Sequence, residues 1–458
     1  MPDYKIKESH LRFMDLTAQT FSVFFVIQII AVFMSIITAR LLGPSGRGIV
    51  AVVILCPTLL FNLGHLSIHR VLTTQVNQGR HSFNVYCGTV LFFISVMTLF
   101  CCGVFSWIYM HHRHIFFHDV NISFSLVLMG LGLLPFLFIV HLFSSLLQTR
   151  EKIEQMNLVL LAQTMIAFLA IFIFVLLAKM GIAGAVAAYL LANICSALLC
   201  LYYVFKICPW PWAVSFPLLK GIMADGMRLH IGVISVFLYQ KIDQLMLAHY
   251  KETSDVGFYA VAVSFTELLL LIPLATQNIF YAKLSQVKEA DVRHEMIDSA
   301  MRVYKHSLFL LICSGIFLAF SFTTLIKIFY GTAFLPSFMP FLILLPGAFF
   351  LYVNNILSNY IIGTRHFLAM SFMASIAAIL NIILNIFLIP AYGANGASVA
   401  STITYVLLGC ALIVCFVRVS GLGFLDFLRR LVFRKADFEL YGDYSKQVFQ
   451  KILAFRRG

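Results

Sequence analysis

Three groups of polar residues stand in or beside long apolar runs, and their types and spacing suit two kinds of chemistry. In "ARLLGPSGRG", Arg40 and Arg47 flank a glycine and proline turn. A guanidinium donates through a planar fork that matches phosphate oxygens, so the pair can grip an anion. It can equally cap helix ends or reach out to lipid head groups. The stretch lacks the Gly-Lys-Ser/Thr ending of a phosphate loop. Lys241, Asp243 and Glu267 form the second group. Carboxylates inside an apolar run suit binding of a proton or sodium and an amine suits a phosphate contact; an ion pair between helices is the structural alternative. Lys241 and Asp243 lie two positions apart, about 200° round a helix, so each needs its own partner. Asn62, His65 and His69 make the third group, a stripe at i, i+3 and i+7 suited to hydrogen bonding a hydroxyl-rich solute. His65 and His69 have metal-pair spacing, but no adjacent glutamate completes a zinc motif, and no metal is expected. Arg70 and Arg228, near helix ends, are candidates for first contact with an anion or ordinary flanking charges.

The elements that must position these groups are membrane helices. Of 458 residues 61% are hydrophobic and 11% charged, far from the balance of an ordinary soluble domain. Continuous apolar runs of 18 residues or more recur along the chain, and a lipid-crossing backbone must satisfy its own hydrogen bonds, which selects helices here. Spans are expected near 17–38, 48–73, 83–109, 122–147, 156–178, 182–205, 230–249, 257–281, 305–328, 338–362, 367–389 and 395–417, twelve in all. With both termini cytoplasmic, 25 of the 32 Lys and Arg fall on the inner side and 6 on the outer, with Lys241 inside a span. That imbalance orients the chain. It also accounts for the formal charge of +13 without a nucleic-acid partner. The ten cysteines fall mostly in apolar stretches and read as small hydrophobes. The polar start "MPDYKIKESHLRFMD" and the lack of a small-residue cleavage site argue against a signal peptide. By depth, Asp243 lies about 10 Å inside the end of its helix at Tyr250, and Glu267 about 15 Å beyond Gly257.

The chain repeats itself. Ala39 to Val53 lies over Ala248 to Ala262 at an offset of 209, pairing Gly48 with Gly257 and Ala51 with Ala260, and "GIAGAVAAYL" lies over "GANGASVAST" at 212. Six spans per half make the repeats parallel about an axis along the membrane normal. The expected organisation is a lobe at 1–206, a cytoplasmic linker at 207–229, a second lobe at 230–419 and an amphipathic cytoplasmic tail at 420–458 against anionic lipid. Asn355 with Asn359 and Asn381 with Asn385 read as polar glue between helices. "HHRHIFFHD" reads as a short interfacial loop. The charges do not repeat: His249 and Val256 stand where the first half has Arg40 and Arg47, while Lys241, Asp243 and Glu267 lie over Val32, Met34 and Thr58. A need of the scaffold alone would appear in both halves.

"ARLLGPSGRGIVA", "KIDQLMLAHY…SDVGFYAVAVSFTELLLLIP" and "IPAYGANGASVAS" resemble the bacterial polysaccharide-export and O-antigen flippases, in the superfamily that also holds multidrug exporters. The resemblance runs to about residue 420. It implies an all-α polytopic protein of two pseudo-symmetric six-helix lobes around a central cavity, lined by spans one, two, seven and eight. It further implies transfer of an undecaprenyl-pyrophosphate-linked oligosaccharide from the inner to the outer leaflet of the bacterial inner membrane by alternating access. Membrane lipids, and a polysaccharide polymerase and chain-length regulator, are the partners it suggests. On this reading Arg40, Arg47, Lys241, Arg228, Asn62, His65 and His69 meet pyrophosphate and sugar, Asp243 and Glu267 couple transport to a sodium or proton gradient, and no cofactor is needed. The alternatives are a cation-coupled multidrug exporter, and, lower, a membrane enzyme on the same lipid carrier, for which no catalytic constellation is evident.

Overall fold

The computed structural model describes residues 2–112, 122–273, 292–364, 366–433, 435 and 437. The described elements are helices: α1 (Pro2–Gly64), α2 (Ile68–Asn77), α3 (Phe83–His112), α4 (Phe124–Leu131), α5 (Leu134–Thr149), α6 (Ile153–Ile171), α7 (Gly181–Ile207), α8 (Phe216–Tyr250), α9 (Thr253–Leu268), α10 (Val292–Leu325), α11 (Phe338–Gly363), α12 (Phe367–Ser420) and α13 (Phe424–Leu431). Helices α6 and α10 end in single π-turns, Phe172–Leu177 and Ile326–Tyr330. Ten segments among the described residues are long and apolar enough to cross a membrane. Two of them, Gln19–Gly64 and Leu368–Ser420, hold 46 and 53 residues. At 1.5 Å per residue each is more than twice the hydrocarbon thickness. Each is broken at a glycine with positive φ, Gly43 and Gly393, and is two helices joined end to end. Only glycine takes such a backbone without strain. The total of twelve stays a sequence expectation; the chain is a multi-pass membrane protein.

The second half of α1 crosses α9 near Gly43, at what is called here the turn end. The crossing is reciprocal: a Cβ on Gly48 would overlap the carbonyl oxygen of Thr253, and one on Gly257 would overlap that of Pro44. Gly257 is the repeat mate of Gly48, and Thr253 that of Pro44, by the same offset of 209. The two halves thus meet here through equivalent atoms, and a hydroxyl bond between Ser45 and Thr253, 2.7 Å long, spans the same contact. Small residues let the backbones approach this closely. The other repeated motif works inside each half: Gly184 lies on the backbone of Phe174, and Gly396 on that of Leu388.

At the opposite, linker end, two expectations change. Residues 216–229 are already the first turns of α8, because Pro217 suits the start of a helix and Ser215 Oγ caps it by accepting from the Leu218 amide. The true connection is short and packed: Trp212 stacks on Phe205 and Phe143. Span two also ends early. The helix stops at Gly64, and Leu66 and Ser67 follow with φ of 46° and 52°. The chain then re-enters a helix as α2 in a new direction. In the tail, α13 buries Phe427 against Tyr304 and Phe416 while Phe424, Leu425 and Arg429 stay on its outer surface and Arg430 pairs with Asp298 of α10. The tail beyond 437 and most of the histidine-rich loop, at 113–121, lie outside the described residues.

Candidate functional site

Three cavities that share wall residues lie in succession along α8, from the turn end to the linker end. The first, about 280 Å³, is lined by Arg47 and Thr58 of α1, Lys241 and Gln244 of α8, and Ser264 and Glu267 of α9. The second, about 330 Å³, shares Lys241 and Glu267 and adds Gln28, Gln240, Tyr352 and Asn355. The third, about 410 Å³, shares Gln240 and Asn355 and reaches Asn62, Ser358 and Arg70. Helices from both halves form the walls. Among the described residues, the charged groups lining these cavities are Arg47, Lys241, Glu267 and Arg70, three cations and one anion.

The expected arginine pair comes apart. Arg40 Nη2 donates to the carbonyl oxygen of Ile328 at 2.6 Å, holding the π-turn that ends α10. Such a carbonyl lacks its own helical donor, and a guanidinium is a natural partner. Arg47 turns the other way, into the first cavity. Its Nη2 is 3.4 Å from Ser35 Oγ, which also accepts from Tyr330 at 3.2 Å. Its buried Nε has no partner. The six residues between them include the Gly43 break, which rotates one arginine away from the other. Arg228 departs from the route as well: its side chain is 81% exposed and pairs with Asp225 at 3.5 Å on the same helix face.

Lys241 and Asp243 face different neighbours, as two positions on a helix require. Lys241 Nζ donates to Glu267 Oε1 at 2.8 Å, with about a third of each side chain exposed to the cavity. The interhelical ion pair is therefore present, and it lies on the cavity wall. Asp243 is 1% exposed. Its carboxylate accepts from the hydroxyls of Tyr259 and Ser401, the latter at 2.9 Å, and from the Gln244 amide at 2.8 Å. Ser401 in turn lies 3.4 Å from Asn381 Nδ2, and Asn385 donates to Asn381 at 2.8 Å. One polar chain thus ties α8, α9 and α12 together, and Asn381 with Asn385 serve as glue within it. Asn355 does not; it opens into two cavities.

The polar stripe on span two is corrected by the early helix end. Asn62 lines the third cavity. His65, 2% exposed, is instead packed among rings of His69, His141 and His230. Beyond Gly64 the i, i+3, i+7 rule no longer applies, because the chain is no longer one helix. No group of three or more His, Cys, Asp or Glu side chains is arranged to hold a metal ion among the described residues. Sequence reasoning missed Gln240, Gln244, Asn355 and Ser358 as wall residues. Gln240 and Gln244 stand one turn apart on either side of Lys241, a polar signal within an apolar run. The partners of Asp243 carried a weaker signal, since Ser401 is one of many small residues in the second repeated motif.

Several solved structures share this fold. The chain resembles a structure described as the lipid II flippase MurJ in an inward closed conformation, with a TM-score of 0.70 and 18% identity over 90% of this chain and 89% of that one. An outward-facing multidrug resistance transporter aligns with a TM-score of 0.56 at 13% identity, over 91% and 96% of the two chains. A superfamily transporter from Pyrococcus furiosus, described by the reversed polarity of its binding pocket, gives 0.53 at 13%, over 93% and 96%. At such identities the likeness concerns the fold. An uncharacterized membrane protein of Methanocaldococcus jannaschii is 24% identical over 192 residues, 42% of this chain, which spans 38% of that relative's length. Residues 17–277 match the family described as "Polysaccharide biosynthesis protein", more than half of the sequence. With a family match over more than half of its length, the chain belongs to the polysaccharide biosynthesis protein family.

Proposed function

We propose that this protein is a flippase that carries an undecaprenyl-pyrophosphate-linked oligosaccharide across the bacterial inner membrane by alternating access, with the linker end toward the cytoplasm. The observation that carries the reading is the route from Arg70 past Lys241 to Arg47 between the two halves, polar at each stage and net positive. A pyrophosphate head group needs cations and hydrogen-bond donors along about 30 Å of otherwise apolar thickness, while its isoprenoid tail stays in lipid. Arg47, which lines the first cavity, and Lys241, released from Glu267, are the phosphate ligands of this scheme. Asn62, Asn355 and Ser358 meet sugar hydroxyls. The sign of the route favours an anionic lipid over a cationic drug. Lys241 also links the two tasks, since Glu267 must give up its partner when phosphate arrives.

Asp243 is the proposed coupling site. Its carboxylate and the two hydroxyls of Tyr259 and Ser401 supply hard oxygen atoms in a dry setting, which suit sodium or a proton. A cation bound there would bear on three helices at once.

Reconstitution into liposomes with a fluorescent pyrophosphate-linked oligosaccharide tests the scheme. Arg47→Ala and Lys241→Ala should each slow flipping about tenfold, the loss of a charged contact worth about 1.4 kcal/mol. Arg40→Ala should leave the rate near wild type, because that guanidinium serves a helix end. Wild-type rates from Arg47→Ala together with Lys241→Ala would sink the phosphate route. Indifference to both sodium and proton gradients would sink the coupling role of Asp243.

A further inference from the structure

At the linker end, four histidines from two halves of the molecule converge on the strained corner between α1 and α2. His65 follows the end of α1, His69 opens α2, His141 lies on α5, and His230 comes from α8 in the second half. Ring centroids stand 5.3 Å apart for His65 and His69, 5.6 Å for His65 and His141, 5.3 Å for His65 and His230, and 4.6 Å for His69 and His141. Phe61 closes the group against His65 and His141.

The corner is held by these rings in one protonation state. Leu66 and Ser67 both adopt left-handed backbone conformations, which cost non-glycine residues of order 1 kcal/mol each and persist only when neighbours hold them. The Ser67 amide donates to His65 Nδ1 at 2.8 Å. An amide N–H has nothing to accept with, so His65 must be neutral, with its proton on Nε2. His230 Nε2 lies 3.1 Å from the Leu63 carbonyl, which only accepts, so this nitrogen carries a proton. In neutral His230, Nδ1 then accepts from Ser67 Oγ at 3.3 Å. The backbone of the first half is thereby fastened to α8 of the second, and Gly226 lets α8 lie directly on the Leu66 carbonyl.

We propose that His65, His69, His141 and His230 form a proton-operated latch, which keeps the linker end of the two halves together while the rings are neutral and releases it when they take up protons. Protonated His65 would point an N–H at the Ser67 amide and lose the bond that steadies the corner. Any charge in the cluster also adds to that of Arg70 on α2. Facing it from α3 is the Cys101 thiol, which carries no compensating charge in its neutral form; on α8 the Asp225 carboxylate is already engaged by Gln75 at 3.0 Å and by Arg228.

Burial first, and then the neighbouring imidazoles, hold His65 below the ordinary histidine range; His69, just beyond the span, is lowered by burial, by His141 and by Arg70. Opening exposes the rings to water, where histidine titrates near about 6.5. Closure is therefore fully favoured above that pH and weakens as pH falls through it. Each histidine that gains its proton only on opening shifts the balance about tenfold per pH unit. The latch goes beyond the transport reading, since its operation needs no cargo.

Hydrogen exchange read by mass spectrometry on the full chain in lipid nanodiscs tests this without substrate, at pH 7.5 and pH 5.5, with rates corrected for intrinsic pH dependence. Amides of residues 63–70 should exchange at least tenfold faster at pH 5.5 in the wild type. His65→Asn keeps an acceptor near the Nδ1 position without a titrating group, and should lose less protection at pH 5.5 than the wild type, the other three rings still titrating. His141→Phe keeps a ring and removes one proton site, so release should move to more acidic pH. Equal protection of the wild type at both pH values would overturn the latch, as would acid release in His65→Asn equal to that of wild type. Should His65→Asn fail to fold, an unmoved transition in His141→Phe overturns it alone. Because no lipid-linked sugar enters the measurement, failure of the flipping assay leaves this result independent.

Discussion

The two ends of the bundle join the halves by different means. At the turn end the contact is glycine on carbonyl, made twice by equivalent residues, and it would look much the same if the halves were exchanged. At the linker end it is a histidine cluster with no counterpart: the offset that superimposes Gly48 on Gly257 places Phe21 under His230. The same contrast separates the walls from the polar groups. Val256 stands for Arg47, Met34 for Asp243 and Thr58 for Glu267. Duplication supplied packing surfaces that serve both lobes, and the charged groups and the histidine cluster are unrepeated additions to them.

The largest effect is expected at the duplicated crossing. Gly48→Leu and Gly257→Leu each force side-chain atoms into a backbone carbonyl that cannot retreat, and each should cost about 3 kcal/mol or more. Thermal denaturation in detergent would check this; because the contact is reciprocal, the two losses should match, and a large loss in one alone would break the symmetry argument. Next comes Asp243→Ala, which leaves the Tyr259 and Ser401 hydroxyls without their buried acceptor, at about 2 kcal/mol. Asp243→Asn should retain more stability while removing any dependence of flipping on a cation gradient. If gradient dependence survives in Asp243→Asn, the coupling site lies elsewhere.

A smaller effect is expected for the cavity ion pair. A double-mutant cycle of Lys241→Met and Glu267→Gln should return a coupling of about 1 kcal/mol, modest because a third of each side chain meets the cavity. A coupling near zero would mean that Lys241 already faces cargo rather than Glu267. Least of all, Arg228→Ala should change stability by under about 0.5 kcal/mol, since its pair with Asp225 is largely in solvent. A loss of several kcal/mol there would place Arg228 in the joint with α2.

Particular residues show where sequence reading succeeded and where it could not. Glu267 and Asp243 were placed inside spans by counting residues from helix ends, and Lys241 and Asp243 were given separate partners from the turn of a helix. Both inferences use local geometry, and both agree with the contacts observed. Arg40 and Arg47 were grouped because they are close in sequence, yet the Gly43 break sends them to opposite surroundings. The His65 and His69 stripe failed for a similar reason, since two left-handed residues end the helix that the periodicity assumed. His141 and His230 carried no pattern at all, because their meeting with His65 depends on how α5 and α8 pack.

By itself the sequence determined that the chain is helical, crosses a membrane many times, and repeats part of itself. Those properties follow from run length, composition and internal repetition, which are summed over many residues and survive local errors. Only the tertiary structure decided which charges face the cavity, which acid meets two hydroxyls, and which histidines share a corner. Such contacts depend on the rotation of each helix and on one or two backbone angles at its ends, where a single glycine or serine can redirect every side chain that follows.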